Sequence, residues 1–212
     1  MNRQEQLRGS VVSVAREMSA RGLGVGTSGN VSARAGGGML VTPSAVRYAA
    51  MEPRDIVLVD LDGRTLDGDR KPTTEWPMHA AIYRARPEVE AVVHTHATFC
   101  TTLATLRKEI PPFHYMVAVA GGDSIRCAPY ATFGTARLAA LAVEALRDRR
   151  ACLLANHGMV ALGASPEAAL ELAVEVESLA ELYWRALQVA EPARLGADEM
   201  AEALEQFRKY RP

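Results

Sequence analysis

A single α/β domain, with helices covering a sheet that is antiparallel at least in part, is what this sequence predicts, and three observations predict it. Short runs rich in β-branched residues alternate with helical patterns, and glycine-rich turns join some neighbouring runs as hairpins. The chain has 212 residues, 49% of them hydrophobic, which suffices for one sizeable core and would leave two independent domains small. We therefore expect one domain over residues 1–212.

Composition excludes several partners. A net charge of -1, from 24 basic and 25 acidic residues, gives no basic footprint for a phosphate backbone, so nucleic acid is not expected. No apolar run approaches the roughly 20 residues of a membrane span, and Met1-Asn2-Arg3-Gln4-Glu5-Gln6 lacks the apolar core of a signal peptide. A cytoplasmic protein away from membranes is expected. Cys100, Cys127 and Cys152 are odd in number and far apart, and read as small buried apolar residues.

Leu7, Val11, Val14 and Met18 recur at helical spacing, with Gly22 to end the helix. Gly24-Val25-Gly26-Thr27-Ser28-Gly29-Asn30-Val31-Ser32 follows, a glycine and hydroxyl cluster that reads either as an ordinary turn or as a cradle for an oxyanion. A strand over 30–34 returns through Ala35-Gly36-Gly37-Gly38 into Met39-Leu40-Val41-Thr42, a hairpin pattern, and Thr42-Pro43-Ser44 sets further hydroxyls beside that cluster. Residues 55–60 read as a strand that Leu61-Asp62-Gly63-Arg64 turns back toward Thr65-Leu66.

A helix start is expected at Thr73-Thr74-Glu75-Trp76-Pro77, with a threonine near the N-cap and Glu75 in the first turn. Glu75 thus reads either as a complement to the helix dipole or as a chemical group, and His79, one turn on, as a core or supporting histidine. Val89-Glu90-Ala91-Val92-Val93-His94-Thr95-His96 reads as a buried strand that delivers two imidazoles to its mouth, since alternate side chains share a face.

Residues 98–106 make a covering helix, and Pro111-Pro112 force an extended path carrying Phe113-His114-Tyr115. A short element over 116–120, a strand over 124–128, a helix around 138–146 and a buried strand over 151–155 follow, the last ending at His157 with Gly158 for a sharp turn. Ser165-Pro166 starts a long apolar helix to about Val189, suited to pack the sheet on one side and a partner subunit on the other. A last helix begins near Asp198 and leaves residues 209–212 as a tail.

His94, His96 and His157 end apolar strands at what is expected to be one sheet edge, and with Glu75 they form the ligand set of a catalytic divalent site of the zinc type. Such an ion acts as a Lewis acid toward a carbonyl oxygen and makes the adjacent carbon acidic, with Glu75 placed to take the proton. Thr27, Ser28, Gly29, Asn30, Thr42, Ser44, Thr73 and Thr74 offer donors that can hold a phosphate at a fixed distance from it.

Taken together, Gly24 through Ser32, Met39-Leu40-Val41-Thr42-Pro43, Thr73-Thr74-Glu75-Trp76, Ala91 through His96, Ile110 through Met116, Cys127 through Thr135 and His157-Gly158 resemble the class II aldolase and adducin superfamily. The similarity is greatest to its fuculose-phosphate aldolases. The resemblance implies a central, largely antiparallel sheet flanked by helices and a homotetramer with active sites at subunit interfaces. It implies one Zn²⁺ per subunit on His94, His96 and His157, with Glu75 as a ligand that swings off to act as acid and base. It makes Tyr115 a catalytic residue supplied to a neighbouring subunit, and assigns phosphate to Thr27, Gly29, Asn30, Thr42, Ser44, Thr73 and Thr74.

Phe133 and Tyr210 would shape the aldehyde end. The implied reaction is reversible cleavage of a ketose 1-phosphate of the fuculose type, through an enediolate, to dihydroxyacetone phosphate and a short aldehyde such as lactaldehyde. The chain departs from the pattern at Ala45, where the family often has glycine, and at Thr73 and Thr74, where serine is common. Rival readings are an epimerase, dehydratase or decarboxylase of the same fold, a non-catalytic adducin-like interaction module, and a zinc hydrolase, for which no His-Glu-x-x-His helix is present.

Overall fold

The computed structural model describes residues 2–210, apart from the side chain of Tyr210. Eight strands form one sheet: β1 (Asn30–Ala35), β2 (Gly38–Val41), β3 (Val57–Asp60), β4 (Thr65–Asp67), β5 (Ala91–Thr95), β6 (Cys127–Ala128), β7 (Ala151–Leu154) and β8 (Gly158–Gly163). Their spatial order is β4-β3-β2-β1-β5-β8-β7-β6, and every pairing is antiparallel except β6 with β7. The α-helices among the described residues are α1 (Arg3–Ala20), α2 (Trp76–Ala85), α3 (Thr98–Thr105), α4 (Ala136–Ala145), α5 (Pro166–Leu187) and α6 (Ala197–Tyr210).

The period-2 pattern of the inner strands divides their side chains between two apolar layers, while the edge strand β4 is exposed. On β5, Ala91 and Val93 enter the larger layer with α1, α3 and α5, while Val92 enters the smaller one with α2 and α4. All five β5 residues are buried, and each valine contributes about 1.5–3 kcal/mol by leaving water. The same alternation sets His94 on the α2 face, opposite Asn30 of β1 in register. The chemistry therefore grows out of the central strand pair.

Local signals explain the helix starts. Asn2 and Glu5 form a reciprocal capping box at α1, Thr135 accepts from the Leu138 N–H at 3.2 Å at α4, and Ser165 does the same for Ala168 before Pro166 at α5.

Several boundaries depart from expectation. Residues 53–55 form a 3-10 turn instead of opening β3, because Pro53 starts a turn and Asp55 accepts from the Glu52 N–H at 2.9 Å and from Arg70 at 3.0 Å. Helix α2 begins at Trp76, with Glu75 at the N-cap position. Lys209 and Tyr210 belong to α6, whose last turn carries Arg208 and Lys209 where positive charge suits the helix dipole. Helix α5 uses most of its apolar positions inside the chain: Leu170, Leu172, Val176 and Leu179 are buried, and Leu182 is 45% exposed.

Candidate functional site

His94 is the penultimate residue of β5, His96 lies just beyond the strand, His157 sits in the β7–β8 turn, and Glu75 precedes α2. Their ligand atoms all lie within 4.8 Å of one another. The three imidazoles form a propeller, with centroids 4.8 to 4.9 Å apart and interplanar angles of 71° to 76°.

Two close approaches permit this. A Cβ on Gly158 would lie 2.2 Å from the Thr95 carbonyl, so glycine is required there for space. The left-handed residue of that turn is Asn156, at φ 56°. The expectation that Gly158 supplies the turn is thus corrected: it supplies room. A Cβ on Gly29 would likewise meet the His94 carbonyl at 2.7 Å.

Glu75 has φ -96° and ψ 8° and makes no capping hydrogen bond, so its carboxylate turns from the helix toward the histidines. Oε2 stands 3.1 Å from His94 Nε2, and Oε1 stands 3.3 Å from His157 Nε2. Oε2 also accepts from Asn30 Nδ2 at 2.9 Å, whereas Oε1 is buried without a hydrogen-bond partner.

The donor set fits a divalent ion. His94 Nδ1 meets the Met159 carbonyl at 2.8 Å and must donate to it, which leaves the Nε2 of a neutral ring bare and facing both Glu75 Oε2 and, at 3.1 Å, His96 Nε2. Lone pairs converge there, and a cation resolves them.

Without an ion, charge concentrates on one pair. Burial opposes the charge of Glu75, yet the charge and hydrogen bond of His94, the charge of His157 and the Asn30 hydrogen bond together outweigh it and hold the carboxyl well below its usual range. Burial likewise disfavours the His94 cation, but the Glu75 carboxylate raises its pKa. Burial first, then the charge of His94, lower His96 and His157 to about 4.

A cavity of about 390 Å³ opens beside the cluster. Thr27, Gly29, Asn30, Ser44, Thr73, Thr74, Glu75, His96, His157 and Phe133 all line it, as does Ser28. Thr73 Oγ1 accepts from Asn30 Nδ2 at 3.2 Å and from the Glu75 N–H at 3.4 Å, so its own O–H remains to be donated. Ser44 Oγ donates to the Pro72 carbonyl at 2.9 Å. Ala45 also lines the cavity and takes φ 59°, the left-handed backbone that glycine adopts more readily.

Thr42 is placed differently from the other hydroxyl residues. It is buried behind the wall, its Oγ1 accepts from the Val31 N–H at 3.2 Å, and its carbonyl accepts from the Thr73 N–H at 3.1 Å. It braces the cavity wall. Tyr115 is also absent from the cavity: it is 54% exposed and stacks on Phe207 of α6 with centroids 6.3 Å apart. The side chain of Tyr210 lies outside the described residues.

Sequence reasoning missed Tyr130, Ala131 and Asn156 on the cavity wall, and Tyr48 behind it. The Tyr48 hydroxyl reaches the Gly29 carbonyl at 2.6 Å and the Ser28 carbonyl at 3.0 Å. Burial, with the Glu75 charge adding, raises its pKa, so the phenol stays a donor. It turns the Ser28 carbonyl inward, and the Gly29 N–H of the same peptide faces the opposite way. Tyr130 and Asn156 had adjacent signals in the quoted motifs; Tyr48 had none.

A family model described as the class II aldolase and adducin N-terminal domain matches residues 9–184. A 5-methylthioribulose-1-phosphate/5-deoxyribulose-1-phosphate aldolase of Rhodospirillum rubrum is 54% identical over 204 residues, 96% of this chain and 92% of that one. An L-fuculose phosphate aldolase of Escherichia coli K12 is 44% identical over 97% of this chain and 95% of its own. A solved L-fuculose 1-phosphate aldolase superposes with a TM-score of 0.92 at 37% identity, covering 96% of each chain.

Proposed function

The chain belongs to the class II aldolase and adducin family and is an aldolase of that class, and from this we propose that it reversibly cleaves a ketose 1-phosphate to dihydroxyacetone phosphate and a short aldehyde. The observation that carries this reading is the convergence of His94, His96, His157 and Glu75 beside a cavity walled by hydroxyls. His94, His96 and His157 would hold Zn²⁺, one per subunit, with Glu75 as the fourth ligand. A bound divalent ion supplies Lewis acidity toward the ketose C2 oxygen.

Thr27, Gly29, Asn30, Ser44, Thr73 and Thr74 then take the phosphate, Thr73 by the O–H it still has to donate, and Thr42 braces them. Anchoring the remote phosphate converts its binding energy into orientation at the reacting carbons. In cleavage the C3–C4 bond breaks with its electron pair retained on C3. The C4 hydroxyl proton passes out through the hydroxyl of Tyr115 to solvent as an aldehyde leaves, and Glu75, having taken up a proton from solvent, delivers it to C3 to give dihydroxyacetone phosphate. Condensation runs in reverse and begins with Glu75 taking that C–H proton.

Because Oε2 is engaged by Asn30 and His94, Oε1 is the oxygen we assign to proton transfer. Tyr115, half-exposed and away from its own cavity, would serve a neighbouring copy in a homotetramer. Phe133 at the rim, with Tyr130 and Ala131, forms the aldehyde end; Tyr210 would complete it.

These aromatic and apolar walls suit an aldehyde with an apolar terminus, which lactaldehyde provides and which fuculose 1-phosphate would release. The greater identity to the Rhodospirillum rubrum relative favours a second substrate reading, a 5-deoxy- or 5-methylthio-pentulose 1-phosphate. A panel of ketose 1-phosphates, assayed for dihydroxyacetone phosphate release, tests both. Release from at least one, abolished by Glu75→Gln, is expected; a protein loaded with zinc that releases none refutes the proposal.

A further inference from the structure

A buried row of hydrogen bonds runs from Glu75 through Asn30 into the sheet, and beyond Asn30 it passes through groups to which the mechanism gives no role. Asn30 Nδ2 lies 2.9 Å from Glu75 Oε2, and Asn30 Oδ1 lies 2.5 Å from His79 Nε2. His79 Nδ1 lies 2.6 Å from Ser32 Oγ, which lies 2.8 Å from the Tyr83 hydroxyl. His79 and Ser32 are wholly buried, and Tyr83 nearly so.

The direction of every bond follows from the carboxylate. Ionised Glu75 only accepts, so Asn30 must present its NH₂ to it, which turns the amide oxygen toward His79. His79 must then donate from Nε2, and its neutral ring accepts at Nδ1 from the Ser32 O–H, which accepts in turn from Tyr83. Reversing the Asn30 amide would set its oxygen against Oε2, two buried acceptors at hydrogen-bond distance.

We propose that His79 is a positioning residue, whose Nε2–H fixes the orientation of the Asn30 amide and thereby aims the Glu75 carboxylate, leaving Oε1 for proton transfer. The inference rests on the acid and base role given to Glu75 above. It also explains why a ring is placed there: one side chain supplies a donor to Asn30 and an acceptor to Ser32 from opposite sides. Glutamine offers both functions through its amide. Phenylalanine fills the volume and offers neither.

Two measurements test this. In the wild-type protein, ¹⁵N-resolved spectra of His79 should show Nε2 protonated and Nδ1 bare; a proton on Nδ1 overturns the proposal. In the zinc-loaded enzyme, His79→Phe should lower kcat on the order of 100-fold, the scale expected when a reacting group is misplaced by about 1 Å, while His79→Gln stays within about tenfold of wild type.

A His79→Gln protein that folds but loses activity beyond that range overturns the proposal, whether or not His79→Phe folds. Should wild type cleave no ketose 1-phosphate, the aldolase reading fails first. The tautomer of His79 then still decides whether the hydrogen-bond row runs as drawn.

Discussion

Charge in the metal-free cluster sits on His94 and Glu75, and this has a pH signature. The His94 pKa lies above its ordinary 6.5, so below that raised value an entering ion must displace one proton from Nε2. His96 and His157, at about 4, compete only in stronger acid. The sign follows: metal affinity falls as pH drops through the raised His94 pKa, by about tenfold per pH unit, and levels once His94 is neutral without the ion. Zinc competition titrations from about pH 5.5 to about 8.5 should show this single-proton slope. Affinity independent of pH over that span would contradict the assignment of the charge.

Much at this scale was legible in the sequence, because ligand types and strand spacing are local facts. His94 and His96 could be paired from the period of a strand alone. Tyr48 and Asn30 were another matter. Their roles depend on which backbone or side chain faces them across the sheet, and no spacing encodes that.

Elements deliver these groups, and one contact couples two of them. The Glu177 carboxylate on α5 accepts from the Phe99 N–H at 2.7 Å and the Cys100 N–H at 2.8 Å, satisfying orphan donors at the start of α3. That start follows directly on His96. Glu177→Ala should destabilise the fold by roughly 2 kcal/mol, lowering Tm by about 4–8 °C for a chain of this size. Zinc affinity should weaken with it. Thermal melts of the metal-free and loaded protein check this, and an unchanged Tm would show that water caps α3 equally well.

The sequence showed α3 and α5 as apolar patterns with clear stops, yet gave no sign of this link, since a glutamate on a long helix ordinarily faces solvent. Glu75 is the converse case. Its place before Trp76-Pro77 suggested a first-turn carboxylate, whereas the backbone at the N-cap points it the other way.

At the scale of the whole molecule, the chain sets Glu75, His96, His157 and the proposed phosphate donors on one cavity, with His94 buried behind it, but leaves Tyr115 outside. Tyr115 lies with Met116 in a groove that α6 lines with Ala203 and Phe207. The long apolar pattern of α5 suggested a helix with the sheet on one side and a partner subunit on the other; its sheet side is seen, with Leu170, Leu172, Val176 and Leu179 in the larger apolar layer. If Tyr115 completes a neighbour's site, Tyr115→Phe and Glu75→Gln proteins should each be nearly inactive. Hybrid oligomers reassembled from the two should recover part of the wild-type rate. Verified hybrids without recovered turnover would return Tyr115 to its own subunit or remove it from the reaction.

Strand β5 lies between β1 and β8, hydrogen-bonded along both edges and buried throughout. Its amides should therefore exchange with deuterated solvent only when the entire molecule opens, while those of the 24–29 turn and the first turn of α2 exchange through local fraying. The imidazoles would then form a fixed wall and the carboxylate a hinged jaw, set on the short-lived end of a ten-residue helix. Exchange measured with and without zinc should slow at residues 75, 76 and 78 through the loss of local opening, and at residues 91–95 only by the factor with which zinc raises global stability. Grip and release would thus be divided between two parts of one site according to how long each stays closed.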